Sequence, residues 1–176
     1  VAPDADLILS SFSNISGNNS DDYARDLDSA RALNAVASNN SWGWKQLDGT
    51  SYNSAEFIVD RDNAGETNDQ AFANLYNDGT TSTDISDWQD YVAALDNFQN
   101  SGVIVWAAGN TEAEAQSGVA ASLPIFYSEL SEAWINVINA DFTGSSMSNA
   151  SESEFDRKGN ACGTTRAFCL TVDGTD

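Results

Sequence analysis

The chain of 176 residues contains no histidine. That absence excludes a Ser-His-Asp or Cys-His catalytic machine complete within these residues, and it excludes a histidine-ligated zinc site. Basic residues are scarce: 7 Lys+Arg stand against 27 Asp+Glu, a net charge of −20. Lysine occurs only as Lys45 and Lys158. Such a surface repels phosphate backbones, so nucleic acid is excluded as a partner. It also repels anionic membrane surfaces. No apolar run reaches the roughly 20 residues a membrane span requires. Only 2 cysteines and 2 prolines are present. Val1-Ala2-Pro3 itself has neither an initiator methionine nor a basic region and reads as a processed or cut end.

What is present speaks for a packed core. Hydrophobic residues make up 41% of the chain, with 5 Trp, 5 Tyr and 8 Phe, too apolar for a solvated acidic tail. The polar remainder suits a saline or extracellular setting, since net charge governs solubility and association rather than fold.

Leu7-Ile8-Leu9 reads as a short buried strand. Ser11 to Ser20 reads as a loop. Ser20 is placed to cap a helix opened by Asp21 and Asp22, with Tyr23, Leu27 and Ala30 on one face. Ala35-Val36-Ala37 reads as a second buried strand with a polar carboxyl end. Lys45 to Thr83 is the least regular stretch, with one short helix near Gln70 to Tyr76. From Asp84, the spacing of Ile85, Trp88, Val92, Leu95 and Phe98 predicts a helix with a core-facing stripe. Gly102 stands where that helix stops. Val103-Ile104-Val105-Trp106 is the clearest buried strand. A long loop to about Glu132 contains Pro124, and Trp134 to Ile138 is a further strand. Strands alternating with helices predict an α/β fold with a mostly parallel sheet. No repeat or linker divides residues 1–176, which read as a single domain.

In open parallel sheets, ligands bind beyond the carboxyl ends of the strands. Two strands here end in small and polar residues: Ser41-Trp42-Gly43, and Ala107-Ala108-Gly109-Asn110. Small residues admit a close ligand backbone, and an asparagine amide at that edge can donate to a developing oxyanion. Taken singly, a Gly-Asn after a strand is more often a turn.

Taken together and in order, these segments resemble the subtilisin-like serine proteases. Gly102 to Asn110 resembles that family's strand leading into the oxyanion-hole asparagine. Asn39-Asn40-Ser41-Trp42-Gly43 resembles its substrate-binding strand. Val1 to Leu7 resembles the segment after the helix bearing the catalytic histidine. Pro124 falls where the family often has a cis proline. Asn160-Ala161-Cys162-Gly163 with Phe168-Cys169-Leu170 resembles secreted or autotransported members that carry a cysteine pair.

The resemblance implies a three-layer α/β/α subtilisin-like fold, here its central, incomplete part, and peptide-bond hydrolysis in the parent protein. Asn110 would be the oxyanion-hole donor. Ser41, Trp42 and Gly43 would hold an extended substrate, with Trp42 shaping a more distal subsite. Ala107, Ala108 and Gly109 would line one wall of the specificity pocket. Cys162 and Cys169, with six residues between them, can reach disulfide geometry in a tight hairpin; the alternative is two free buried thiols. The family's Asp and His motifs would lie before Val1 and its Ser motif after Asp176, so this chain alone is expected to be inactive. Gly163-Thr164-Thr165 holds no serine, and Val172-Asp173-Gly174 lacks the family's usual proline.

The chemistry requires no cofactor. The family often binds structural calcium, and Asp60-Arg61-Asp62-Asn63-Ala64-Gly65 resembles the start of a calcium loop. An EF-hand would require Glu where Ala71 stands. The acidic stretch Asp60 to Glu66 is then a candidate calcium loop or a solvated acidic loop; no residue is assigned as a metal ligand. The expected partners are a peptide or protein substrate and the remaining N- and C-terminal parts of the same domain. The expected location is extracellular, at the cell surface or periplasmic. Two other readings stand beside the peptidase. One is a non-catalytic acidic module that holds a peptide strand or serves a structural role. The other is a calcium-dependent acidic surface protein.

Overall fold

The computed structural model describes residues 6–8, 20–44, 52–75, 84–144, 151 and 154–174. Its helices are α1 (Ser20–Ala32), α2 (Ser54–Ala64), α3 (Asn68–Leu75), α4 (Ile85–Gln99) and the short α5 (Leu123–Phe126). Its strands are β1 (Ala37–Asn40), β2 (Val103–Ala107), β3 (Trp134–Phe142), β4 (Phe155–Arg157) and β5 (Cys169–Asp173). They form one sheet in the order β1-β2-β3-β4, with β5 also on β3. The pairs β1·β2, β2·β3 and β3·β5 are parallel, and only β3·β4 is antiparallel. This is the expected mixed α/β architecture with a mostly parallel sheet.

The registers fix a geometry that matters later. Val137 pairs with Ala107 of β2 and Leu170 of β5, so β2 and β5 lie on opposite flanks of β3. Ala140 pairs with both Asp173 of β5 and Arg157 of β4, so β4 lies on the flank that β2 has left. Strands β2 and β4 therefore run head-on along one side of β3. The residues after β4 meet the residues after β2.

One face of the sheet is packed. Ile104, Trp106, Trp134 and Asn136 are buried there, and the Trp106 and Trp134 rings stack at 5.3 Å. The helices add Phe57, Phe72, Trp88, Leu95 and Phe98 to the same core. The opposite face carries Val103, Val105, Ile135 and Val137, all half-buried, and Leu170 and Val172, which are exposed. Among the described residues this second face is the more open one.

Helix α4 forms as its stripe predicts. Asp84 caps it, accepting from the Asp87 N–H at 2.9 Å while Asp87 reaches back to the Asp84 N–H. The Ser86 hydroxyl and the Asp87 N–H hold the Asp84 carboxyl below its ordinary value. Trp88, Val92, Leu95 and Phe98 are buried, whereas Ile85 at the helix start is exposed. Gly102 closes the last turn, its N–H donating to the Phe98 carbonyl. A Cβ there would lie 2.6 Å from the Phe98 ring, so glycine is required for space. Tyr23, Leu27 and Ala30 of α1 pack on the core as expected. Burial and the neighbouring Asp22 and Asp26 push the Tyr23 phenol up to about 12.

Several expectations are corrected. Leu7 and Ile8 are exposed and belong to no strand; an apolar run becomes a strand only where another strand pairs with it. Leu9, the Ser11 to Asn19 loop and the Val1 to Ala5 segment lie outside the described residues. Ser20 is a buried residue of the first turn of α1 rather than a cap outside it. Strand β1 begins at Ala37, its residues alternate exposed and half-buried, and Val36 is exposed. It is the outermost strand described, paired on one side only, so it is not buried. The stretch after Lys45 holds a second helix, α2. Asn53 caps it by accepting from the Ala55 and Glu56 N–H groups, Glu56 returns the bond, and Gly65 ends it at φ 67. Helix α3 ends at Leu75, and Tyr76 lies outside the described residues. The long loop before β3 contains α5 and single-turn helices at Ala120–Ser122 and Ser128–Ser131, burying Val119, Leu123 and Leu130. Pro124 stands in the first turn of α5, and no described peptide bond is cis.

Candidate functional site

Because β1 and β2 are parallel, their carboxyl ends reach the same edge. Asn40 pairs with Trp106, and the register continued by one residue sets Ser41 beside Ala107. The two segments singled out in the sequence are thus brought together. Ser41 and Gly43 are exposed, as is Asn110; Ala107 and Gly109 are half-buried, and Ala108 is buried.

Trp42 is half-buried, and its ring turns into an aromatic cluster. It stacks on Tyr23 at 5.2 Å and meets Trp44 and Trp106 edge-on at 5.6 and 5.0 Å. The Trp106 indole N–H donates to the Trp42 carbonyl at 3.0 Å. These contacts fix the end of β1 against β2.

Beyond β2 the chain makes a loop closed at its base, where the Gly118 N–H donates to the Ala108 carbonyl at 2.7 Å. The Ala108 N–H donates in turn to the Val137 carbonyl of β3. Gly109 has φ 127, a region that side-chain-bearing residues rarely enter. The residues after β4 pack behind this turn, as the head-on strands require. Arg157 donates to the carbonyls of Glu114 and Gly159, and the Ala161 N–H donates to Glu114 as well. Sequence reasoning did not connect these residues to Asn110, which stands some fifty positions earlier.

Cys162 and Cys169 form a disulfide, with Cα atoms 6.0 Å apart. The segment between them is a short 3-10 helix, Gly163–Phe168, rather than a hairpin. Buried hydrogen bonds tie it to the site loop. Asn136 donates to the Ser117 and Thr165 hydroxyl oxygens, and the Thr165 hydroxyl donates to the Cys162 carbonyl at 2.7 Å. Replacing both cysteines by serine is expected to lower stability by about 2–3 kcal/mol, from the entropy of closing so short a loop. Urea unfolding of the two proteins checks it: the midpoint falls in the serine variant.

The acidic stretch read as a calcium loop or a solvated loop is for the most part not a loop. Asp60 to Ala64 are helical, and Gly65 is the cap. The Tyr52 hydroxyl donates to Asp60 at 2.6 Å, and Arg61 pairs with Asp62 at 2.6 Å. Among the described residues, no group of three or more Asp, Glu, Cys or His is placed to hold a metal ion. Likewise, no described helix is long and apolar enough to cross a membrane.

No curated protein and no solved structure matches the chain. The model of the subtilase family matches residues 1–176. Subtilases are serine peptidases, and their substrates are peptides or proteins. With this match over the whole chain, the chain belongs to the subtilase family.

Proposed function

We propose that this chain supplies the oxyanion-hole side and the substrate-binding strands of a subtilisin-like serine endopeptidase, as one part of that peptidase domain. The observation that supports it is the shared edge, where the parallel strands β1 and β2 end together at the Asn40–Trp106 pair, so that Ser41 to Gly43 and Ala107 to Asn110 leave the sheet from the same side. An extended substrate would add as a strand along Ser41 to Gly43, held by main-chain hydrogen bonds. Trp42 would anchor that strand end through its packed ring. Ala107, Ala108 and Gly109 would form one wall of the pocket for the side chain before the scissile bond. The exposed Asn110 amide would donate to the oxyanion of the tetrahedral intermediate. The chain has no histidine, so the general base, with the nucleophilic serine and its orienting aspartate, would come from outside residues 1–176. The Cys162–Cys169 disulfide suits an extracellular, cell-surface or periplasmic location.

Casein degradation tests this division of labour. The 176-residue chain alone is expected to leave casein intact, and the full peptidase to degrade it until a fluorophosphonate blocks its serine. Inhibitor-sensitive cleavage by the chain alone overturns the assignment. A full protein that binds peptides without cutting them establishes instead the second reading, a non-catalytic acidic module.

A further inference from the structure

Asn160 is fully buried although its side chain is polar, and among the described residues every hydrogen bond it makes goes to the loop that begins at Gly109. Its backbone N–H donates to the Gly109 carbonyl at 3.1 Å. Its side-chain oxygen accepts from the Thr111 N–H at 2.9 Å, and its side-chain nitrogen donates to the Gln116 carbonyl at 2.9 Å. One residue therefore grips the backbone immediately before and immediately after Asn110, and ties both to the far limb of the loop.

The surrounding glycines fit this grip. A Cβ on Gly109 would lie 2.5 Å from the Asn160 side-chain oxygen, and one on Gly159 would lie 2.4 Å from the Gly109 carbonyl oxygen. Two successive elements have given up side chains so that Asn160 can close on the turn. An asparagine suits the position chemically, because the site demands one acceptor and one donor from the same planar group.

We propose that Asn160 is a positioning residue for Asn110, holding the turn so that the exposed amide faces the oxyanion before substrate arrives. This rests on the assignment of Asn110 as the oxyanion donor. Preorganised donors are effective because they need no rearrangement as charge develops, and small displacements at such a site are costly.

The test is a double-mutant cycle in the full peptidase, reading kcat and KM separately. Asn160→Ala is expected to lower kcat by about 10–100-fold with KM nearly unchanged. In an Asn110→Ala background, the same substitution is expected to change kcat by less than about twofold, since there is no donor left to position. Asn160→Asp retains the size and the acceptor, and it runs through the same cycle if the alanine variant does not fold. Equal losses in both backgrounds, a loss confined to KM, or an unchanged kcat overturns the proposal. An unchanged kcat in Asn110→Ala alone overturns the oxyanion assignment itself, whatever Asn160 does.

Discussion

Asn110→Ala in the full peptidase is expected to lower kcat by about 10²–10³-fold and to leave KM nearly unchanged, a magnitude carried over from the oxyanion-hole asparagine of subtilisin. The split between the two constants follows from geometry. Asn110 lies past the end of β2, on the exposed edge, while the surfaces assigned to substrate binding are the backbone of Ser41 to Gly43 and the wall of Ala107 to Gly109. On the proposed assignment, removing the amide spares those surfaces and deletes one donor to a charge that exists only in the transition state. The substitution is also mild for the fold, because the Asn110 side chain is exposed. Steady-state kinetics on a chromogenic peptide, with a melting curve of the same protein, checks both halves. A KM increase with kcat intact would make Asn110 a substrate contact and not an oxyanion donor.

Trp88→Ala is expected to destabilise the protein by about 3–5 kcal/mol, the range for a large aromatic removed from a packed core. Trp88 is fully buried, and its ring stacks on Phe72 at 4.6 Å with nearly parallel planes. Phe72 in turn stacks on Phe57 at 4.2 Å, so α2, α3 and α4 meet at this one column. The Trp88 indole N–H donates to the Tyr127 hydroxyl at 2.7 Å, and that hydroxyl donates to Asp69 at 2.8 Å. Burial pushes the Tyr127 phenol well above its ordinary range; the Trp88 donation opposes this and the Asp69 carboxylate adds to it. Trp88→Phe separates the two contributions. It keeps most of the ring stack and loses the indole donor, for an expected cost of about 1–2 kcal/mol. Urea denaturation midpoints at unchanged m-value give both numbers. Equal losses for the two variants would place the energy in the hydrogen bond instead of the stack.

Elements with a long apolar period were legible in the sequence. The α4 stripe from Trp88 to Phe98 and the β2 run from Val103 to Trp106 fall where expected: the stripe, Ile104 and Trp106 face the core, while Val103 and Val105 are half-buried on the other face of the sheet. Helix α2 was not read, although its signals are local: Asn53 and Glu56 form the capping box and Gly65 the stop. The pattern Asp60-Arg61-Asp62-Asn63 drew attention as a loop, since acidic and amide residues favour turns in isolation. On α2 they occupy a solvent-facing surface, and Phe57 provides the one large buried side chain of that helix. That the ends of β1 and β2 reach one edge was legible, because parallel pairing brings carboxyl ends together. The hydrogen bonds of Asn160 to Gly109, Thr111 and Gln116 were not, because they depend on β4 filling the lane that β2 leaves on β3. No local pattern encodes that meeting.

The base of the loop after β2 has a consequence for length variation. The Gly118 N–H on the Ala108 carbonyl closes the loop where it leaves the sheet, and Asn160 pins its two limbs just above that point. Extra residues inserted between the exposed Glu112 and Ala113 would enlarge only the part beyond both clamps. Closure entropy grows slowly, about 0.6 kcal/mol for each doubling of a flexible loop. The tip can therefore vary in length while the turn at Gly109 and Asn110 keeps its shape, which makes it the natural place to graft a tag or a second recognition element beside the carboxyl edge of the sheet.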